Sequence, residues 1–129
     1  MSTQPDPTQG LHTVTPYFTV PDADLFIEFA QNVFGAQVIK ENRYENGVVQ
    51  HARLRIGTSV VMINQATDGY LANRSQMHLQ VSDATKTYRT ALQHGAQSIM
   101  EPNLRPHGEW MAGVMDTSNN TWWIASPKG

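Results

Sequence analysis

The chain repeats itself. Val20-Pro21-Asp22-Ala23 leads through an apolar, helix-like stretch to Gly35-Ala36-Gln37, and Val81-Ser82-Asp83-Ala84 does the same on the way to Gly95-Ala96-Gln97. The distance from Val20 to Val81 and that from Gly35 to Gly95 agree to within one position, and each is nearly half the chain. The sequence therefore reads as two copies of one unit of about 60 residues. A unit of that size buries too little surface to be comfortable alone, so the copies are expected to stack.

Within the first copy, residues 13–20 are β-rich, with Pro16 arguing for an edge or a bulge. Asp22 is placed to cap a helix whose Phe26, Phe29, Ala30 and Val33 recur at helical spacing, and Gly35 stops it. A strand over residues 36–44 and the Asn46-Gly47 turn lead into a strand over 48–56. Gly57-Thr58 then turns into Val60-Val61-Met62-Ile63. The second copy follows the same order. It has a strand from Gln76 to Val81, a helix capped by Asp83 with Ala84, Tyr88, Ala91 and Leu92 on one face, and a stop at Gly95. A strand over 96–101, a loop from Pro102 to Gly108, and strands around Trp110–Asp116 and Thr121–Ser126 complete it, the last two joined through Ser118-Asn119-Asn120. The sum is eight strands and two helices, an α+β fold of two βαβββ modules. Residues 1–12 are expected to be a disordered tail and 13–126 one domain, with modules at about 13–64 and 76–126 and a linker at 65–75.

A net charge of −2 gives no electrostatic reason to expect nucleic acid or a membrane as partner. No apolar run is long enough to span a bilayer, and the N-terminus has neither the basic start nor the apolar core of a signal peptide, so a cytoplasmic location is expected. With no cysteine, disulfides, thiolate nucleophiles and Cys-ligated metals are excluded.

The duplicated unit resembles the vicinal oxygen chelate superfamily of glyoxalase I, extradiol dioxygenases, and fosfomycin and bleomycin resistance proteins. Thr15-Pro16-Tyr17-Phe18-Thr19-Val20 through Phe34-Gly35-Ala36 is similar to the opening of its PhnB-like branch. His51-Ala52-Arg53-Leu54-Arg55-Ile56-Gly57 resembles the central strand of that branch, and Trp110 to Asp116 with Trp122 its closing hairpin. The resemblance implies a glyoxalase-like, cupped eight-stranded mixed sheet around a small-molecule pocket, and a homodimer. It also implies where metal ligands would stand: Thr15, Val61 or Met62, Gln76 and Trp123. Gln76 follows Thr15 at the same offset at which Val81 follows Val20, so the repeat supports that pairing independently. Thr, Val or Met, Gln and Trp do not make a divalent centre of the usual kind, so neither metal nor other cofactor is expected.

Alternation divides the strands into faces. Ala52, Leu54 and Ile56 are apolar, which turns His51, Arg53 and Arg55 to the cup. Met77, Leu79 and Val81 are the expected buried set, which turns Gln76, His78 and Gln80 to the cup. Tyr17, with Thr15 and Thr19, opposes Phe18 and Val20, and Trp123 opposes Trp122 and Ile124. The candidate ligand-binding residues are therefore Tyr17, His51, Arg53, Gln76, His78, Trp110 and Trp123. Arg53 calls for an anion, either a ligand group or a protein carboxylate such as Glu109 or Glu101. Trp110 and Trp123 suit a planar ligand, although core or dimer packing accounts for them equally. His51 and His78 suit acid–base work, a displaced metal site or plain hydrogen bonding. Asp22 and Asp83 are read as helix caps, not as a carboxylate pair.

Two functions of different class follow. One is a binder of a planar or anionic small molecule, like the drug-sequestering members of the superfamily. The other is a lyase, isomerase or dioxygenase-like enzyme that uses His51 and His78 with or without a metal.

Overall fold

The computed structural model describes residues 11–127. The first copy contains β1 (Tyr17–Val20), α1 (Ala23–Phe34), β2 (Gln37–Arg43), β3 (Val49–Ile56) and β4 (Ser59–Gln65). The second contains β5 (Gln76–Gln80), α2 (Ala84–Gln93), β6 (Gln97–Leu104), β7 (Trp110–Met115) and β8 (Thr121–Ser126). These are the two βαβββ modules of the expected α+β fold. The strands pair as two four-stranded mixed sheets in the orders β1-β4-β3-β2 and β5-β8-β7-β6. Unit 1 holds the described residues up to Gln31 together with Gly35–Asn73, and unit 2 holds Asn32–Phe34 with the residues from Arg74 onward.

The helices start where the repeat says they should. Asp22 accepts the Leu25 amide at 3.1 Å, and Asp83 accepts the Lys86 amide at 3.1 Å, each satisfying an amide that has no partner within its own helix. A second tie is also duplicated. The Ala23 amide donates to Gln65 Oε1 at 3.2 Å, and the Ala84 amide to Ser126 Oγ at 2.8 Å. Gln65 and Ser126 end the last strand of their modules and are equivalent positions of the repeat, so that strand locks the start of each helix in the same way. Gly35 closes α1 at φ 67°, a left-handed conformation that strains a side chain.

In unit 1, Phe18, Val20, Phe26, Ala30, Ala52, Leu54 and Ile63 are buried, and the Phe18 and Phe26 rings lie 5.0 Å apart. In unit 2, α2 packs across β6, β7 and β8 and buries Ala84, Tyr88 and Ala91 near Ala112, Val114, Trp122 and Ile124. Phe34 places its ring 4.5 Å from that of Trp122. The turn after β7 is organised by the buried Asp116. Its carboxylate accepts the amides of Ser118 (2.8 Å) and Asn120 (3.0 Å) and the indole N–H of Trp122 (2.8 Å). Burial pushes its pKa up, against the pull of those three bonds.

Some boundaries move. The strand expected over 13–20 begins at Tyr17, because Pro16 has no amide to give, although its carbonyl still accepts Met62 N at 2.9 Å on this edge strand. The strand expected over 96–101 runs on to Leu104 and takes in Pro102, the residue expected to open a loop. Pro102 is tolerated because β6 is an edge strand and its register slips between Met100 and Asn103. His94 is the cap of α2, with Gly95 next at φ 98°. Leu92 is exposed, and Met77 and Leu79 are only half-buried. The tail expected over residues 1–12 falls, for residues 1–10, outside the described residues.

Replacing Asp116 strips acceptors from three buried donors at once. Asp116→Ala is expected to cost about 3 kcal/mol, read as a lower urea midpoint at unchanged slope. A loss under about 0.5 kcal/mol, the size of an ordinary surface substitution, would show that the turn stands without it.

Candidate functional site

The register draws one row of side chains straight across each sheet. In unit 1 it is Tyr17, Met62, Arg53 and Lys40, and in unit 2 it is His78, Trp123, Gly113 and Met100. Tyr17 and His78 are separated by the same stretch of chain as Met62 and Trp123, and that stretch is the repeat itself. The rows are therefore the same feature of the fold written twice. They also decide a point that turn length left open, since Met62 and not Val61 is the counterpart of Trp123.

The unit 1 row is polar and cationic. Tyr17 is 48% exposed, and its hydroxyl lies 3.3 Å from His51 Nδ1 with the rings tilted and 5.9 Å apart. A neutral imidazole protonated on Nε2 accepts the Tyr17 O–H at Nδ1 and keeps an N–H donor at its other nitrogen. The pKa of His51 is pushed below 6.5, first by burial and then by the positive charges of Arg53 and Lys40. Arg53 and Arg55 are half-buried on β3, while Ala52 and Leu54 between and beside them are fully buried, so the expected division of faces is present. Lys40 had no place among the sequence candidates. The signal for it was the hairpin at Asn46-Gly47, which brings β2 back along β3, but a shift in register between Val38 and Lys40 hides the pairing with Arg53.

The unit 2 row is aromatic and apolar. Trp123 donates its indole N–H to Gln76 Oε1 at 3.0 Å. A Cβ built on Gly113 would come within 2.6 Å of the Trp123 ring, so the indole lies directly over this glycine. Only a residue with no side chain lets a ring rest on the strand there. Beside this platform runs a hydrogen-bonded chain. His78 Nε2 is 2.9 Å from Gln80 Oε1, Gln80 Nε2 donates to Glu109 at 2.8 Å, and His107 Nε2 lies 3.6 Å from Glu109. The Gln80 carbonyl can only accept, so His78 Nε2 is the donor in this contact. Glu109 accepts the Gln80 amide N–H and lies near His107.

The structure brings Tyr17, His51 and Arg53 to one face of unit 1, and Gln76, His78 and Trp123 to one face of unit 2. It does not put Trp110 with Trp123. Trp110 stands opposite Ser126, in step with the Ala112–Ile124 and Val114–Trp122 pairs, whose parity is that of the core side of the strand. Trp122 is buried and hydrogen-bonded to Asp116.

The positions that hold metal in the superfamily do not fit a divalent ion. Thr15 precedes β1 and donates to the His12 carbonyl at 3.1 Å. Met62 offers a thioether, and the Gln76 oxygen is occupied by an indole N–H that can only donate. Among the described residues, no three His, Cys, Asp or Glu side chains gather.

Two measurements check this geometry. His51 should titrate below 6.5 by NMR, and its neutral form therefore contributes stability that is full above pH 6.5 and lost as pH falls through the folded value. A midpoint at or above 6.5 would contradict the burial and the cationic surroundings. Gly113→Ala should displace the Trp123 ring, seen as a changed indole N–H resonance and a loss of about 1–3 kcal/mol. An unchanged resonance would mean that the ring does not lie on the strand.

Three solved structures share this fold. TioX from Micromonospora sp. ML1 aligns with a TM-score of 0.76 and 20% identity over 88% of this chain and 96% of its own. The PhnB protein of Bacillus cereus, described as a putative 3-demethylubiquinone-9 3-methyltransferase, aligns at 0.74 and 12% identity over 88% and 98%. The fosfomycin resistance protein FosX of Listeria monocytogenes, solved with Mn(II) and sulfate, aligns at 0.68 and 14% identity over 88% and 89%. A comparison with curated proteins found no match. The sequence profile of one family matches residues 10–124, and with the duplicated βαβββ module it assigns this chain to the Glyoxalase/Bleomycin resistance protein/Dioxygenase superfamily.

Proposed function

We propose that this protein binds a small molecule without a metal centre, holding a planar or anionic organic ligand against an open sheet face. The observation that carries the reading is the hydrogen bond between Gln76 and Trp123. Two positions that supply metal ligands elsewhere in the superfamily satisfy each other here, and the indole becomes a flat apolar surface seated on Gly113. The residues proposed to touch ligand are Tyr17, His51 and Arg53 in unit 1 and Gln76, His78 and Trp123 in unit 2. Trp110 is left out on the register of β7. The stretches at Thr15–Val20, His51–Gly57 and Trp110–Asp116 support a place in the PhnB-like branch. A cytoplasmic homodimer completes the reading. No described helix is long and apolar enough to cross a membrane.

A second reading is favoured by the chain from His78 through Gln80 to Glu109, which makes His78 Nε2 a donor. In it the protein is a lyase, isomerase or dioxygenase-like enzyme with His78 Nδ1 as a general base. Turnover that disappears in His78→Gln at unchanged ligand affinity would establish this second reading.

Mass spectrometry after incubation with zinc, nickel, manganese and iron(II) tests the first reading. No stoichiometric metal is expected, and one equivalent per chain, lost in His51→Ala, would overturn it. For the dimer, sedimentation at micromolar concentration showing only a 14.4 kDa species would be the contrary result.

A further inference from the structure

We infer that the face of the unit 2 sheet turned away from α2 seats a neutral, planar, fused-ring aromatic ligand, with Trp123 and Ile99 as its floor. The inference rests on the small-molecule reading above and chooses among its ligands a flat ring system without charge.

A bulge puts Ile99 there. On β6, Ser98 faces Val114 and Met100 faces Gly113, so Ile99 is an extra residue with no counterpart on β7. β2 carries the same irregularity, with Val38 facing Leu54, Lys40 facing Arg53 and Ile39 between them. Ile39 and Ile99 are separated by the same stretch of chain as Gly35 and Gly95, so the bulge and its isoleucine belong to the repeat. Both side chains are left in the open, at 38% and 47% exposure. A Cβ on Gly113 would stand 3.5 Å from the Ile99 Cβ and 2.6 Å from the Trp123 ring, so both side chains border the bare glycine from the same side of the sheet. Gln76 holds the indole N–H at 3.0 Å, which pins the ring in place. The ring is only half-buried and keeps surface for a second one to stack on.

Full charges are missing from this face. The row through Trp123 is flanked by one running from Gln76 to Gln97 and another from Gln80 to Asn103, and none of the three contains Lys, Arg, Asp or Glu. Their one titratable side chain, His78, meets Gln80. The described charged residues of unit 2 stand off these rows. Asp83 caps α2, Asp116 is buried in the turn after β7, and Glu109 comes before β7 and meets Gln80 and His107. Glu101 falls in the second register slip of β6. Lys86 and Arg89 are on α2, Arg74 precedes β5 and Arg105 follows β6. An ion set over these rows would give up water without meeting an opposite charge, whereas a neutral ring gains by leaving water. The corners of the face are amides, Gln76 and Gln80 on β5 and Gln97 and Asn103 on β6. Gln76 gives its oxygen to the indole, and its nitrogen has N–H groups to offer a carbonyl at the ligand's edge. Indole is itself a pair of fused rings, so a ligand of two fused rings matches it in an offset stack.

Calorimetry on the intact protein with 2-naphthamide, cyclohexanecarboxamide and 2-naphthoate tests the inference. One saturable site per chain is expected for 2-naphthamide. Cyclohexanecarboxamide, which keeps the amide and loses the flat ring, should bind at least about tenfold more weakly. Ile99→Trp lays a ring of the protein's own over the floor and should weaken 2-naphthamide by about tenfold. Ile39→Trp, the same change at the equivalent bulge of unit 1, should alter it by less than about twofold. In the wild type, the Trp123 indole N–H and Ile99 methyl resonances should shift as 2-naphthamide saturates, a readout that does not depend on any variant folding. If 2-naphthamide binds without moving them, binds no better than cyclohexanecarboxamide, or is weakened equally by both tryptophan variants, this inference falls and the small-molecule reading stands. Binding of 2-naphthoate alone has the same meaning. If neither naphthalene binds, both fall.

Discussion

In each module the first strand lies parallel to the last, β1 against β4 and β5 against β8. Parallel neighbours cannot be joined by a tight turn, so the chain must leave the sheet and come back. A capped helix and an antiparallel hairpin of strands fill that excursion in both copies. The ties from Gln65 to Ala23 and from Ser126 to Ala84 then fix the end of the last strand to the start of the helix. This pairing decides which side chains become neighbours on the open face. It sets Tyr17 beside Met62 and His78 beside Trp123, and through them it lays out both rows.

One frame carries two different chemistries. In unit 1 the row is phenol, thioether, guanidinium and ammonium. In unit 2 it is imidazole, indole, bare backbone and thioether. Gly113 stands where unit 1 has Arg53, and that exchange turns a place that attracts charge into a shelf for a ring. The superfamily hosts unrelated reactions on this fold, so membership alone leaves the chemistry open. What the residues add is the absence of suitable donors at the expected metal positions, replaced at Gln76 and Trp123 by a bond between the two side chains themselves.

Much of this was legible in the sequence because it depends on local rules. Caps at Asp22 and Asp83, the stop at Gly35, the turn at Asn46-Gly47 and the alternation along residues 51–56 each need only a few neighbouring residues. The repeat supplied the rest of the topology. What escaped depends on pairings between distant segments. Pro102 reads as a loop until β6 is known to be an edge strand, and Trp110 reads as a companion of Trp123 until the register with Ser126 is known. Lys40 is an ordinary surface lysine until a shifted register sets it against Arg53. Asp116 gave a partial sign in the run Asp-Thr-Ser-Asn-Asn, a turn-forming composition. Its bond to the Trp122 indole had no local signature.

The most direct test of a metal-free second module is the indole N–H resonance of Trp123, followed by NMR while manganese(II) is added. If Gln76 holds that proton, the resonance is protected from solvent exchange and keeps its position and width through an equivalent of the ion. Saturable broadening of the Trp123 and Gln76 side-chain resonances at one ion per chain would instead place a metal there and contradict the central claim.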